Sequence, residues 1–407
     1  METITSCRVC KSNNIKEFFD LGMQPLANSL VDDLDKKEDF YPLSLSWCQD
    51  CSLVMLNQTI DPEILFSKYV WVTATSKIAK THSQTFFKEV SSRISKKGYV
   101  LEIASNDGTF LIPFIKNGYD VLGVDPAENI AEIAKKNGIK TKCSFFNTQT
   151  ALELVKEKGS ANIIFARNVL PHVAGTRDFT QSLAICLGED GVLAIEVHYA
   201  KKILEGLHYD SIYHEHVCYF TLKSLEKLLH DFNLYVFDIG TSPISGGSII
   251  VYAKHGKVTE EPVVKQYRQK ELEDKTNDLE RWENFAKTSS NHRQELLEVL
   301  KEAKLSGMVV GYGASARSST LLNFAQIDSN LISVIVDQNP LKQGLFTAGT
   351  HIPIVSPQEM MKKNPGTIVI LAWNFTDEIS DVLRNTFNYK GRLIIPLPNN
   401  PKVIQGN

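Results

Sequence analysis

Two pairs of cysteines near the start of the chain have the spacing of a metal site. Cys7 and Cys10 form one C-x-x-C pair, and Cys48 and Cys51 form a second. Two such turns that face each other place four thiolates around one point, the tetrahedral sulfur site that suits zinc. Because four cysteines leave no coordination position open, the sequence predicts a structural rather than a catalytic ion. Two unrelated pairs, or a redox dithiol, are the alternatives.

A second group of reactive side chains lies in DSIYHEH at 210–216. In an extended chain His214 and His216 would point to one side, and Tyr213 and Glu215 to the other. The spacing is not the H-E-x-x-H of a metalloprotease, which needs histidines four residues apart on a helix. Because histidine titrates near neutrality, the run is typical of general acid–base chemistry, with a satisfied polar turn as the alternative.

The elements that must position these groups alternate regularly from residue 99 onward. Buried-strand runs occur at 99–105, 120–126, 161–167 and 191–199, with helices at 109–117 and 127–138. This alternation predicts a parallel sheet with helices on both faces. The runs at 234–240 and 248–255 flank a Gly-Gly turn and predict a hairpin at the sheet edge. His172 follows the third strand, at the carboxyl end where such sheets bind ligands, although a lone histidine there is more often structural.

The rest of the chain predicts a connection and a second domain. Between residues 260 and 306 the sequence is rich in charge, and Leu272, Trp282 and Leu300 recur at helical spacing. Connecting helices are therefore expected, with a coiled-coil partner site as the alternative. The predicted protein is α/β and has four segments: a zinc-binding module at 1–75, a core at 76–259, connecting helices at 260–306 and a Rossmann-like domain at 307–407.

The first strand–turn–helix segment favours a ligand without phosphate. The turn in LEIASNDGTFL, at 101–111, contains one glycine, Gly108, so a pyrophosphate could not approach its backbone closely. S-adenosylmethionine (SAM) suits it better. Asp125, at the end of the second strand, is placed to bond ribose hydroxyls. An ordinary turn with a helix-capping aspartate is the alternative.

A second turn fits a dinucleotide fingerprint. GYGASA at 311–316 matches G-x-G-x-x-A, and Asp337 ends the next strand. Taken alone, this turn supports an alternative interpretation as an NAD-dependent nucleotide-sugar oxidoreductase. Arg317, at the start of the helix, equally suits the pyrophosphate of a nucleotide-linked substrate.

Composition excludes several classes of protein. A chain of 407 residues with 43% hydrophobic and 22% charged residues is typical of a soluble protein of two or three domains. A net charge of −3 gives no general attraction to nucleic acid or anionic lipid. No apolar run reaches the roughly 18 residues of a membrane helix, and the polar N-terminus lacks the core of a signal peptide. We therefore expect a cytoplasmic protein without nucleic-acid or membrane partners.

Together these stretches resemble one known family. The four-cysteine module, LEIASNDGTFL, NVLPHVAG, YDSIYHEHVCYF, ISGGSIIVYA, GYGASARSSTLLNF and VDQNPLKQGLFTAGTHIPI occur in this order. They resemble the SAM-dependent C-methyltransferases that act on nucleotide-linked keto-deoxysugars, over nearly the whole chain. The resemblance implies a zinc-binding module, a class I methyltransferase core and a Rossmann-like C-terminal domain, with the nucleotide-sugar in the cleft between core and C-terminal domain.

The resemblance also implies roles for individual residues. His216 would be the general base, Glu215 and Tyr213 would hold or polarise the sugar, and His172 and Tyr69 would complete the catalytic group. The candidate SAM-binding residues are Glu102, Ala104, Ser105, Asn106, Gly108, Thr109, Asp125, Pro126, Ala166 and Asn168. The candidate substrate-binding residues are Tyr213, His214, Gly247, Gly313, Arg317 and Asp337.

The implied reaction is methylation of a carbon beside the 4-ketone, C3, through an enediolate formed by the base. A dTDP-linked sugar is expected, with other nucleotides left open, and the enzyme is expected to be a monomer. Ser245 and Ile250 stand where relatives often carry His and Arg, which leaves the sugar and nucleotide preference open. Ala104 replaces a common glycine, a small steric change.

Overall fold

The computed structural model describes residues 1–66, 72–75 and 77–406, so the predicted catalytic residue Tyr69 lies outside the described residues. The N-terminal module is a small antiparallel sheet. Its elements are β1 Glu2–Thr3, β2 Ile15–Pro25, β3 Phe40–Cys48, β4 Val54–Leu56, β5 Gln58–Thr59 and α1 Pro62–Phe66. β3 pairs with both β2 and β4.

The core is a seven-stranded mixed sheet flanked by helices. Its elements are α2 Lys77–Ser91, β6 Tyr99–Ile103, α3 Ile112–Lys116, β7 Asp120–Asp125, α4 Glu128–Lys136, β8 Thr141–Cys143, α5 Thr148–Lys158, β9 Ala161–Arg167, α6 Thr176–Cys186, β10 Leu187–His198, α7 Ala200–Gly206, β11 Cys218–Tyr219, α8 Leu222–His230, β12 Leu234–Ser242 and β13 Ser248–His255. The strand order is β12-β13-β10-β9-β6-β7-β8. The strands from β10 to β8 are parallel, whereas β13 runs antiparallel to both of its neighbours. The predicted parallel sheet and edge hairpin are confirmed.

Connecting helices and a second α/β sheet follow. Their elements are α9 Pro262–Glu273, α10 Leu279–Leu305, β14 Val309–Tyr312, α11 Ala316–Ala325, β15 Ile335–Val336, β16 Ile354–Val355, α12 Pro357–Lys362, β17 Thr367–Ile370, α13 Thr376–Asp381, β18 Arg392–Ile395 and β19 Lys402–Ile404. The strand order is β16-β15-β14-β17-β18-β19, parallel except for β19. In the described part of the chain, no helix is both long and apolar enough to cross a membrane.

The predicted connecting helices are present, but Leu272 does not face the core. Leu272 is 72% exposed, and its neighbour Glu271 is buried instead. The Glu271 carboxylate accepts hydrogen bonds from the Tyr199 hydroxyl at 2.8 Å and from the Leu222 backbone N–H at 2.6 Å. Those bonds compensate the burial of the charge and set the rotation of α9.

Aromatic side chains pack the zinc-binding module against the rest of the protein. Phe19 of β2 meets Phe285 of α10 at 6.0 Å between ring centroids and Phe324 of α11 at 5.7 Å, both edge to face. Phe18 lies 6.0 Å from Trp282 of α10. One strand of the module therefore contacts the connecting helix and the C-terminal domain together.

We predict that Phe19→Ala lowers the free energy of unfolding by about 3–5 kcal/mol, because it opens a cavity where three parts of the chain meet. Urea denaturation followed by tryptophan fluorescence measures the change. Met23→Ala on the same strand, where the side chain is 58% exposed, is the control and should change the stability little. Equal stability of the two variants would contradict this packing.

Candidate active site

The four N-terminal cysteines converge on one point. Their sulfur atoms all lie within 4.8 Å of one another. Cys7 Sγ lies 3.5 Å from Cys51 Sγ, and Cys10 Sγ lies 3.5 Å from Cys48 Sγ. A set of four thiols in this arrangement fits a tetrahedral zinc ion and leaves no position for substrate. The predicted ligand set is thus brought together.

The zinc-binding module holds the strand that follows the DSIYHEH loop. β11 pairs antiparallel with β4, which gives the module a four-stranded sheet, β11-β4-β3-β2. Just before β11, the Val217 carbonyl accepts a hydrogen bond from the Leu56 N–H at 3.1 Å. The Val217 N–H donates to the Pro171 carbonyl at 2.7 Å. His216 is therefore fixed between the module and the turn that carries His172.

His216 has a defined tautomer. Its Nδ1 lies 2.8 Å from the Ser211 carbonyl oxygen, which can only accept, so Nδ1 carries the proton. Nε2 then accepts a hydrogen bond from the Tyr213 hydroxyl at 2.8 Å. Burial lowers the pKa of His216 well below its usual range. The result is a neutral imidazole whose Nε2 lone pair is able to take a proton.

His172 lies beside His216. The two imidazole rings are 4.7 Å apart between centroids and nearly perpendicular. Burial lowers the pKa of His172 to about 4, partly offset by a hydrogen bond with the Glu215 backbone. Both rings are therefore neutral at physiological pH, and the structure places His172, Tyr213 and His216 in one cluster.

The predicted alternation of the loop is wrong. The His216 N–H donates to the Tyr213 carbonyl at 2.9 Å, so the chain turns here instead of running extended. Tyr213 and His216 consequently meet, with ring centroids 4.1 Å apart. His214 points to the zinc-binding module, where its Nε2 donates to the Pro42 carbonyl at 3.2 Å. Its observed contact therefore holds the module, and a role in binding substrate stays a prediction.

Glu215 is a buried carboxyl with an unusual pKa. Its side chain is 5% exposed, and Oε1 accepts a hydrogen bond from the Asn28 amide at 2.5 Å. Burial raises the pKa of Glu215 to about 7, although the Asn28 hydrogen bond opposes the shift. A carboxyl that titrates near neutrality is suited to proton transfer or to recognition of a polar substrate group.

The candidate SAM-binding residues gather at one edge of the core sheet. They lie at the carboxyl ends of β9, β6 and β7, which are adjacent strands. The turn after β6 has left-handed backbone at Ala104, Asn106 and Gly108. Gly108 is required there, because a Cβ atom would lie 2.6 Å from Ile139 Cγ1. The Thr109 hydroxyl stabilises the turn by donating to Asp107 at 2.7 Å.

Two carboxyl groups at this edge fit SAM. Asp125 accepts backbone N–H bonds from Asn106 and Ala127, both at 2.9 Å, and each oxygen keeps a second lone pair for a ribose hydroxyl. Glu102 is 3% exposed, and its Oε2 has no hydrogen-bond partner among the described residues. Burial raises the pKa of Glu102 well above its usual range. An unpaired buried carboxyl is costly unless a polar ligand meets it.

The other candidates of this group have backbone or packing contacts. Ser105 is buried against Gly123, where a Cβ would lie 2.3 Å from Ser105 Oγ. Ala166 is fully buried in β9. Asn168 has a positive φ of 51° and donates its N–H to the Glu196 carbonyl at 2.7 Å. The Pro126 carbonyl lies 3.7 Å from Cys143 Sγ.

Arg317 connects the two α/β domains. Its guanidinium donates to both oxygens of Asp210, at 2.9 and 3.0 Å, and Trp373 Nε1 donates to the same carboxylate at 2.7 Å. Thr320 Oγ1 donates to the Ile212 carbonyl at 2.8 Å. The start of α11 therefore holds the loop that carries His216. Direct contact of Arg317 with a substrate pyrophosphate stays a prediction.

The glycine-rich turn of the C-terminal domain is filled by its own chain. Gly313 has a φ of 104°, and a Cβ there would lie 2.5 Å from Ala372 Cβ. Asp337 accepts backbone N–H bonds from Ala314 at 3.0 Å and from Asn339 at 2.9 Å. These glycine and aspartate positions are thus explained by packing and turn closure. Their contact with a nucleotide-sugar remains a prediction.

The sequence analysis missed two histidines beside the cluster of His172, Tyr213 and His216. The His198 and His208 rings stack at 5.7 Å, and His208 also lies 4.5 Å from the Trp373 ring. Both are buried, and His198 Nε2 and His208 Nδ1 have no hydrogen-bond partner in the described part of the chain. The position of His198 at the end of β10 is the signal that could have found it. His208 had none.

The Gly-Gly turn before β13 packs against the rings of His208 and Trp373. A Cβ on Gly246 would lie 3.0 Å from Trp373 and 3.2 Å from His208. Gly247, the predicted substrate residue, has a φ of 120°, and a Cβ there would lie 3.1 Å from Lys202 Cγ. Both positions demand glycine, and Gly246 lies against the histidine pair.

Comparisons with known proteins match three successive parts of the chain. The matching family models are described as "Putative zinc binding domain" at residues 7–66, "Methyltransferase domain" at 76–239 and "C-methyltransferase C-terminal domain" at 243–398. C-methyltransferase NovU from Streptomyces niveus is 31% identical over 408 residues, which cover 98% of this chain and 97% of NovU.

Solved structures give weaker likenesses. A SAM-dependent methyltransferase from Clostridium acetobutylicum is 13% identical, with 45% of this chain and 94% of that one covered at a TM-score of 0.36. One from Anabaena variabilis is 18% identical, with 46% and 88% covered at 0.36. These likenesses are too distant to bear on the chemistry of this chain.

We predict that Cys10→Ser loses the zinc ion, because a closed tetrahedral site tolerates no missing thiolate. The loss should also lower Tm and methyl transfer, since β4 of the module holds β11. Metal analysis of the purified protein and thermal unfolding check these results. Cys143→Ser, which removes an exposed thiol outside the cluster, is the control and should retain one zinc ion per chain. Equal zinc content in the two variants would contradict the assigned site.

Proposed function

We propose, from the premise that this chain belongs to the family of SAM-dependent C-methyltransferases, that it methylates the carbon beside the ketone of a nucleotide-linked deoxysugar. Family membership rests on the relative that is 31% identical over 98% of the chain. The order of zinc-binding, methyltransferase and C-methyltransferase C-terminal domains agrees with it. The proposal beyond the family concerns the substrate, the carbon and the residues that act.

One observation carries the proposal. His216 is a half-buried, neutral imidazole whose Nδ1–H is held by the Ser211 carbonyl, so its basic nitrogen is fixed on the side of Tyr213. A sugar carbon is not nucleophilic, but an adjacent ketone acidifies its C–H bond. C-methylation at that carbon therefore requires a general base beside the substrate, and His216 offers a free basic nitrogen for this role.

The chain's own residues account for the proton transfer. His216 Nε2 removes the proton from the carbon beside the ketone, and the electron pair moves onto the ketone oxygen as an enediolate. The Tyr213 hydroxyl lies 2.8 Å from His216 Nε2. When Nε2 takes the proton, this hydroxyl is free to donate its hydrogen bond to the enediolate oxygen instead. SAM, held by Glu102, Asp125 and the turn between β6 and α3, supplies the electrophilic methyl group when it is bound.

Burial of the cluster favours this chemistry. Desolvation lowers the pKa of both His172 and His216, so the His216 ring is unprotonated at neutral pH and its Nε2 is free to accept a proton. His198 Nε2 and His208 Nδ1 have no hydrogen-bond partner among the described residues, which suits a ligand rich in hydroxyl groups.

We propose that the nucleotide end of the substrate meets the C-terminal domain near Gly313, Arg317 and Asp337. The support is their common location at the start of α11 and the end of β15, beside the Asp210 contact. A dTDP-linked sugar, methylation at C3 and a monomeric enzyme stay predictions. The oxidoreductase alternative has no support, because the segment matched as a C-methyltransferase C-terminal domain, 243–398, contains its fingerprint.

We predict that His216→Ala retains SAM binding but loses methyl transfer by about 10²–10⁴-fold, the usual contribution of a general base. The variant should also lose exchange of the hydrogen beside the ketone with solvent deuterium. Calorimetry with SAM, product formation and NMR-detected exchange on a nucleotide-linked 4-keto-deoxysugar measure the three properties. His230→Ala, at an exposed histidine of α8, is the control and should resemble the unmodified enzyme. Retained turnover in His216→Ala would contradict the role of the base.

A further inference from the structure

A segment of the zinc-binding module crosses to the C-terminal domain. This strap, residues 26–39, joins β2 to β3. Val31 and Phe346 exchange backbone hydrogen bonds at 2.9 and 2.8 Å. The Glu38 carboxylate accepts the Gly349 N–H at 3.0 Å and a hydrogen bond from His351 Nε2 at 2.8 Å. The strap is thus tied at two places to one loop of the C-terminal domain, 346–351.

The first part of the strap, before Val31, contacts the loop that carries Glu215. Asn28 donates from its side-chain amide to Glu215 Oε1 at 2.5 Å. The two residues are distant in sequence, and Glu215 is 5% exposed whereas Asn28 is exposed. The backbone beside Glu215 is fixed independently by the Val217 hydrogen bonds. Asn28 therefore acts on the orientation of the carboxyl group and not on the path of the loop.

We propose that Asn28 is a positioning residue for Glu215, and that its amide keeps the carboxylate oriented and ionised for contact with the substrate. The inference rests on the proposed role of Glu215 in holding or polarising the sugar. The hydrogen bonds of loop 346–351 to Val31 and Glu38 fix the strap, so the alignment of Glu215 also depends on them.

The charges around Glu215 support an ionising effect of Asn28. Burial raises the pKa of Glu215 to about 7, and the Asn28 hydrogen bond is the effect that lowers it. The imidazoles of His172, His214 and His216 lie in the same loop or the adjacent turn, and burial lowers the pKa of each. Within the described ranges, these neighbours supply no positive charge at neutral pH. A neutral amide donor is then the group that favours the carboxylate.

The test is an infrared titration of Glu215. The stretching band of its protonated carboxyl is identified by difference against Glu215→Gln. In Asn28→Ala we expect the titration midpoint to rise by about one pH unit, since one hydrogen bond to the charged form is lost. Ser29→Ala is the matched control: the residue is adjacent and exposed, and its hydrogen bond to Leu26 is made by the backbone. Its midpoint should match that of the unmodified protein.

The pH dependence of turnover separates positioning from a general structural defect. With Asn28→Ala, kcat should fall about fivefold at pH 7 and recover at higher pH, because Glu215 ionises again above its raised pKa. The KM for SAM should not change. A loss of kcat that is equal at every pH, or an unchanged infrared midpoint, would overturn the proposal. A shifted midpoint in a protein that methylates no nucleotide-linked ketosugar would instead contradict the proposed function, so the two failures are distinguishable.

Discussion

The active site depends on two backbone hydrogen bonds of Val217. Its N–H is held by Pro171 of the core, and its carbonyl by Leu56 of the zinc-binding module. The residue on one side is His216, the proposed base, and on the other is β11, which completes the sheet of the module. A module of this size has too small a core to fold alone, so the energy of zinc binding stabilises the sheet. We therefore propose that the zinc ion supports catalysis indirectly, by fixing the backbone at His216.

Desolvation has opposite effects on the pKa of two residue types within one loop, because it favours the neutral form of both the histidine and the carboxyl group. Burial keeps His216 neutral and available as a base, whereas the same burial moves the pKa of Glu215 up to about 7. A single loop thus holds a ready proton acceptor and a carboxyl poised near neutral pH, the kind of separation that acid–base sites require. Asp210, gripped by Arg317 and Trp373, ties this loop to the C-terminal domain. The position of the loop that carries His216 therefore depends on its contact with the C-terminal domain.

The features that depend on local sequence pattern were predictable from the sequence alone. Cysteine spacing predicted the metal ligands, and alternating apolar runs predicted both sheets. Contacts between distant segments were not predictable in this way. His214 faces the module because the loop turns at Tyr213, and Leu272 is exposed because Glu271 finds partners in the core. The stacked pair of His198 and His208, and the reach of Asn28 to Glu215, require the assembled domains.

The central claim is that the methyl group is transferred to carbon beside a ketone. The most direct measurement uses SAM with a ¹³C-labelled methyl group, a nucleotide-linked 4-keto-deoxysugar and NMR of the purified product. The account predicts a labelled methyl that shows one-bond carbon–carbon coupling when the sugar ring is also ¹³C-labelled, with the coupling partner next to the carbonyl carbon. A labelled methyl attached to oxygen, or no transfer to a panel of such sugars by zinc-loaded enzyme, would contradict it.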